Sequence, residues 1–183
     1  MFSSRNIEHD KALAARLGGG ARAGTPRDAA AFGEVVMVSV PYGSLPDVGK
    51  TLGDLIRGKV VIDTCNPFPW RDGEIAEWAR KKGAGLASAE LLPGARLVRA
   101  FNSLPSWELK SEAHRAGEKA AIPLAADDAQ ALKVAERLVR DAGFEPVVVG
   151  GLSRAREFDV GTAVYGRAHT ARELREALGL ENP

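Results

Sequence analysis

Four short clusters carry the polar side chains best placed for ligand chemistry: Val40-Pro41-Tyr42, Asn66-Pro67, Phe101-Asn102 and Ser4-Arg5. The first three each end an apolar run, Val35–Val40, Lys59–Asp63 and Leu97–Phe101 respectively. Continuous apolar runs of this length suit strands covered on both faces, as in a parallel sheet between helix layers. In open sheets of that kind ligands bind beyond the carboxyl ends of the strands, where these turns fall. The Asn66 amide both donates and accepts, which suits a sugar hydroxyl or a carboxamide; in an Asx turn it would serve the backbone instead. Pro41 has no amide hydrogen and fixes its backbone, so it suits a strand end where the chain leaves the sheet. Tyr42 either lines a groove there or packs on a loop. Phe101 has the usual fate of a strand-end aromatic, the core, whereas the amide of Asn102 has some polar task.

Other chemistries find less support. His9, His114 and His169 are scattered and no pair has metal-ligand spacing, so surface or capping roles are expected. Cys65 is the only cysteine, which excludes an intrachain disulfide and a cysteine-rich zinc site; with no histidine near it in sequence, a buried, inert thiol is expected. Asp63 is assigned no catalytic part. Trp70, Trp78 and Trp107 are expected to pack, although Phe68 and Trp70, beside Asn66-Pro67, can also wall a flat ring. The 25 basic residues nearly balance the 24 acidic ones, which favours neither nucleic acid nor an anionic membrane. No apolar run approaches the ~20 residues that span a bilayer. The first residues have no apolar core like that of a signal peptide, so a cytoplasmic location is the expectation.

The elements that must position these turns follow from periodicity and caps. Helices are expected at Ile7–Leu17, from Pro26 to Phe32 behind a Thr25 cap, and through Val48, Leu52, Leu55 and Ile56. Further helices should run from an Asp72 cap to Gly83, near Ser88–Leu92, at 128–142 and at 171–178. Two more strands are expected, from Lys119 to Ala125 and at Pro146–Val149. The alternation implies βαβ crossovers, an α/β fold and a parallel sheet. Gly18-Gly19-Gly20 follows a helix rather than a strand, so it reads as a helix stop and not as a phosphate cradle. One domain over 1–183 is expected, with 150–183 as a C-terminal extension.

The segments S-V-P-Y-G, V-V-I-D-T-C-N-P-F, L-P-G-A-R-L-V-R-A-F-N and V-V-V-G-G-L, in this order and spacing, resemble the NADP oxidoreductase family dependent on the deazaflavin coenzyme F420. A similar fold forms the cytosolic domain of membrane ferric reductases. The resemblance implies a Rossmann-type, doubly wound parallel sheet, here lacking the first βα unit with its glycine-rich turn. It sets Ser4-Arg5 at the end of the second strand, where an arginine forks onto a 2′-phosphate and a hydroxyl donates to it, favouring NADP(H) over NAD. In a frayed terminus Arg5 would be solvated instead. By the same resemblance Val40, Pro41 and Tyr42 lie along the ribose and nicotinamide side, and Asn66, Pro67, Phe101 and Asn102 lie close by.

The implied reaction is hydride transfer between NADPH and a deazaflavin, with a flavin, quinone or ferric chelate as the other acceptors to test. It needs two ring faces held close and no protein acid or base. The small-residue stretch Gly83–Ser88 either admits an acceptor ring or is only a tight loop. Without a glycine loop the pyrophosphate loses its usual helix N-terminus, so weak NADPH binding is expected. A start site placed downstream, a shortened gene, or a piece completed by another chain would each account for this reading. The other function is a non-catalytic fragment or subunit acting through protein–protein contacts. A homo-oligomer or a completing chain is the partner expected besides the small-molecule cofactors.

Overall fold

Five short apolar segments form the centre of the molecule: β1 (Val35–Val38), β2 (Val60–Asp63), β3 (Arg96–Arg99), β4 (Ala121–Ala126) and β5 (Glu145–Gly150). The computed structural model describes residues 1–181. The strands lie in chain order, β1-β2-β3-β4-β5. Helices α1 (Ile7–Leu17), α2 (Pro26–Phe32), α3 (Leu45–Ile56), α4 (Pro69–Asp72), α5 (Glu74–Lys82), α6 (Ala84–Leu91), α7 (Ser106–Glu112), α8 (Ala129–Asp141) and α9 (Ala171–Ala177) connect and cover them.

Alternation along the strands divides the core between two faces. Val61 and Leu97 pack with Leu45, Leu52 and Ile56 of α3 and with Ala84 and Ala87 of α6. Val60, Ile62 and Val98 point the other way, into a cluster with Ala131, Ala135 and Val139 of α8. The C-terminal residues are part of the same body. Ala155, Phe158, Val164 and Leu174 pack on Ala121, Ala125, Val147 and Val149.

The sheet departs from an all-parallel arrangement at one seam. β1, β2 and β3 are parallel, and so are β4 and β5, but β3 meets β4 antiparallel through Val98↔Ala126 and Arg99↔Ala125. A strand buried on both faces has the same apolar character in either direction, so residue pattern does not set its polarity. β1 ends one side of this sheet, with Met37 56% exposed. Separate from it, Phe2 and Ala23 form a single parallel bridge.

Side-chain caps set several helix starts. Thr25 accepts from the Asp28 amide while Asp28 accepts from that of Thr25, closing a capping box at α2. Asp128 accepts from Gln130 and Ala131 at the start of α8. Asp72 does not cap a helix as its position suggests. It is the last residue of α4, Gly73 (φ +63°) separates it from α5, and its carboxylate accepts from the amides of Phe68 and Gly43. The stretch Gly83–Ser88 is no loop: Gly83 joins α5 to α6, Ala84–Ser88 form most of α6, and Gly85 lies against Ala155 and Leu152, so protein fills the space offered to a ring. Gly18-Gly19-Gly20 ends α1 with all three glycines at positive φ, as a helix stop requires.

Candidate functional site

A groove of about 310 Å³ opens beyond the carboxyl ends of β1 and β2. Ser39, Val40 and Pro41 line it from the first strand, and Thr64, Cys65, Asn66, Phe68 and Arg71 from the second. The two turns are held in step by direct bonds. Val38 O accepts from the Thr64 amide at 3.1 Å and its hydroxyl at 3.3 Å, and the Val40 amide donates to Cys65 Sγ at 3.4 Å. Phe68 supplies a flat wall, with the Arg71 guanidinium 5.1 Å from its ring centre and Trp70 tilted 5.8 Å away. Arg71 is anchored in two further ways: it pairs with Asp72, and its Nη2 donates to Asn66 O at 2.8 Å.

Behind the groove lies a buried charge network centred on Arg99, which is fully enclosed. Its guanidinium donates to Asp63 at 2.8 Å, to Cys65 O at 2.7 Å, to Asn66 Oδ1 at 3.1 Å and to Asp159 at 2.7 and 2.9 Å. Burial alone would lower the arginine's pKa; the two aspartates outweigh it and raise the value. Asn66 is thereby oriented. Its Oδ1 faces Arg99, and its Nδ2 donates to Asn102 O at 2.8 Å and to Tyr165 Oη at 3.3 Å. Asn102 is buried, donates to Phe158 O and Asp159, and leaves its Oδ1 without a partner among the described residues. It reaches this position because Phe101 turns the chain with φ +59°, a conformation bulky residues rarely hold, packed edge-on against Phe144.

The structure brings together only part of the set read from sequence. Val40, Pro41 and Asn66 line the groove. Pro67 is buried beneath the turn, and Asn102 contacts the groove only through Asn66. Tyr42 is fully buried and bonds Ala84 O and Ser88, so its phenol serves the contact with α6. Ser4 donates to Asp10, and Arg5 is exposed with no ion-pair partner among the described residues; neither lines the groove. Arg71, Arg99, Asp159 and Tyr165 were not legible as site residues. Arg99 and Tyr165 meet their partners across 60 and 99 positions, and only Arg71, five after Asn66, gave a local signal.

Elsewhere, two expectations are corrected. Trp70 and Trp107 are 81% and 72% exposed rather than packed. His169 is buried beside a second cavity, lined also by Arg167, Glu173 and Glu176, and burial followed by Arg167 lowers its pKa. Cys65 is buried and its pKa is raised, chiefly by burial. Among the described residues no cluster of His, Cys, Asp or Glu can hold a metal ion, and no helix is long and apolar enough to cross a membrane.

Residues 1–67 match the model of the family described as NADP oxidoreductase coenzyme F420-dependent. The chain is 30% identical over 129 residues to metalloreductase STEAP3 of Rattus norvegicus, covering 69% of this chain and 24% of that protein. It therefore spans about a quarter of that relative's length. Among solved structures it is similar to a hypothetical protein from Sinorhizobium meliloti, with a TM-score of 0.76, 25% identity, and coverage of 92% of this chain and 82% of that one. It also shares its fold with a "putative F420-dependent NADP-reductase" from an Arthrobacter species, with a TM-score of 0.66, 19% identity, and coverage of 79% and 73%. The family match takes in the first two strand-end motifs, at 39–43 and 60–67.

Proposed function

We propose that this chain, a relative of the F420-dependent NADP oxidoreductases, is the nicotinamide-binding part of a reductase that passes a hydride between NADPH and a deazaflavin or related ring acceptor. The observation that carries this reading is the groove formed by Val40-Pro41 and Asn66 beyond two adjacent parallel strands, the usual place for a ligand in such a sheet. Its size and its flat Phe68 wall fit the nicotinamide and ribose end of a dinucleotide. The described residues offer no glycine-rich strand-to-helix turn for the pyrophosphate, so the fit covers that end alone.

NADPH supplies the hydride when bound; the protein's part is placement and exclusion of water. Pro41 fixes the backbone at one rim, and Phe68 with Arg71 forms the other. Asn66, with both amide hydrogens already engaged, sets the floor rather than reaching for a ribose. Ser39, exposed in the lining, the Thr64 hydroxyl oxygen and Arg71 Nη1 are lining groups with bonding capacity to spare.

An NADPH titration followed by amide chemical shifts tests this. Shifts centred on 38–42 and 64–71, with a dissociation constant weaker than low micromolar, are expected; no shift at millimolar NADPH would overturn the reading. Arg5→Ala tests the cofactor choice, and should weaken NADPH more than NADH if Arg5 meets the 2′-phosphate. A second reading, action through protein contacts, draws on β1 at the sheet edge with exposed Met37 and nearby Phe32. Light scattering of the purified protein tests it through the mass of any stable complex.

A further inference from the structure

Among the groove's lining residues Asn66 alone hydrogen-bonds the C-terminal segment, through the phenol of Tyr165, which stands just behind the lining rather than in it. Tyr165 Oη accepts from Asn66 Nδ2 at 3.3 Å, while Arg71 Nη2 holds the Asn66 carbonyl at 2.8 Å. Tyr165 is half-buried, and the segment bearing it is fixed at several points. Asp159 is clamped on Arg99, the Gly166 amide donates to Ser103 O at 2.7 Å, the Tyr165 amide donates to Thr162 O at 3.2 Å, and Val164 is buried. A phenol has one hydrogen to give. Among the described residues, nothing receives that of Tyr165, and burial raises its pKa, so the proton stays on at neutral pH. Arg71 likewise keeps Nη1 unengaged among the described residues, so a positive charge flanks the same asparagine.

We propose that Tyr165 is a ligand-binding residue of this groove, donating its phenolic hydrogen to a carbonyl oxygen of a bound ring. The proposal rests on the nicotinamide reading above. Two carbonyls share this chemistry: the carboxamide of the nicotinamide and a ring carbonyl of the hydride acceptor. Asn66, whose amide is committed inward, acts as the positioning residue that holds the phenol in place, and the Arg99–Asp159 pair fixes the segment from behind.

Tyr165→Phe keeps the ring and removes the donor. The tests are NADPH affinity by chemical-shift titration, steady-state reduction of coenzyme F420, and melting temperature. About a tenfold loss of NADPH affinity, the scale of one lost hydrogen bond, at an unchanged melting temperature assigns the carboxamide. A comparable rise in the KM for coenzyme F420 with NADPH affinity unchanged assigns the acceptor carbonyl. If both stay unchanged while the unaltered protein binds NADPH, the phenol only packs and the proposal falls alone. If the unaltered protein binds no NADPH, the nicotinamide reading fails and takes this proposal with it.

Discussion

At Arg99 a single, fully enclosed cation separates two carboxylates, Asp63 buried with it and Asp159 at the margin of the core. Removing it leaves Asp63 and Asp159 facing each other unpaired, and breaking a buried pair costs about 3–5 kcal/mol. Arg99→Met should therefore lower urea stability by that order. Arg99→Lys should recover part of it, since an ammonium restores charge but not the fork that reaches four acceptors. Cys65 belongs to the same layer, and its buried, protonated thiol should resist iodoacetamide in the folded protein and react after denaturation. Asp72 shows how such residues escape a local reading. Its place before Gly73 looks like a helix cap, yet its partners are Gly43, Phe68 and Arg71, and the first of these lies 29 positions away.

Between elements, α3 meets the end of α6 at Gly49 with no room for a side chain. A side chain at Gly49 would strike the Leu91 carbonyl, so Gly49→Ala must move one helix or unfold it, at a cost of about 1–3 kcal/mol by urea denaturation. Most elements were legible because their signals are local: Thr25-Pro26 starts α2, Asp128 starts α8, and the apolar runs at 35–38 and 60–63 are strands. The antiparallel seam between β3 and β4 was not, because Ile122, Leu124 and Val98 read alike in either direction. The candidate site was half legible for the same reason. Pro41 and Asn66 mark strand ends by type and place, whereas Arg99 in its apolar run gives no sign of Asp159 across the fold.

For the molecule as a whole, pH dependence follows from groups whose pKa is lowered on folding. Asp72 is one: burial opposes the shift, and bonds from Arg71, Phe68 and Gly43 outweigh it. A carboxylate of this kind adds stability above its unfolded pKa of about 4, lost as pH falls through the lower folded value. His169 is lowered by burial first and Arg167 second, so it has the same sign in a higher window, beginning below its unfolded pKa of about 6.5. Urea stability should thus decline in two stages on acidification. His169→Gln should flatten the upper stage, and Asp72→Asn the lower.

The span between Arg99 and Asp159 also bears on how the protein is made. Because the strands are laid down in spatial order, each can dock on its predecessor as it leaves the ribosome. Arg99 meets Asp63 as soon as β3 docks, but its second carboxylate is synthesised 60 residues later. At roughly 5–20 residues per second that interval is about 3–12 seconds. For those seconds the nascent sheet carries a half-matched cation at its centre, and the core around it closes only when Asp159 arrives.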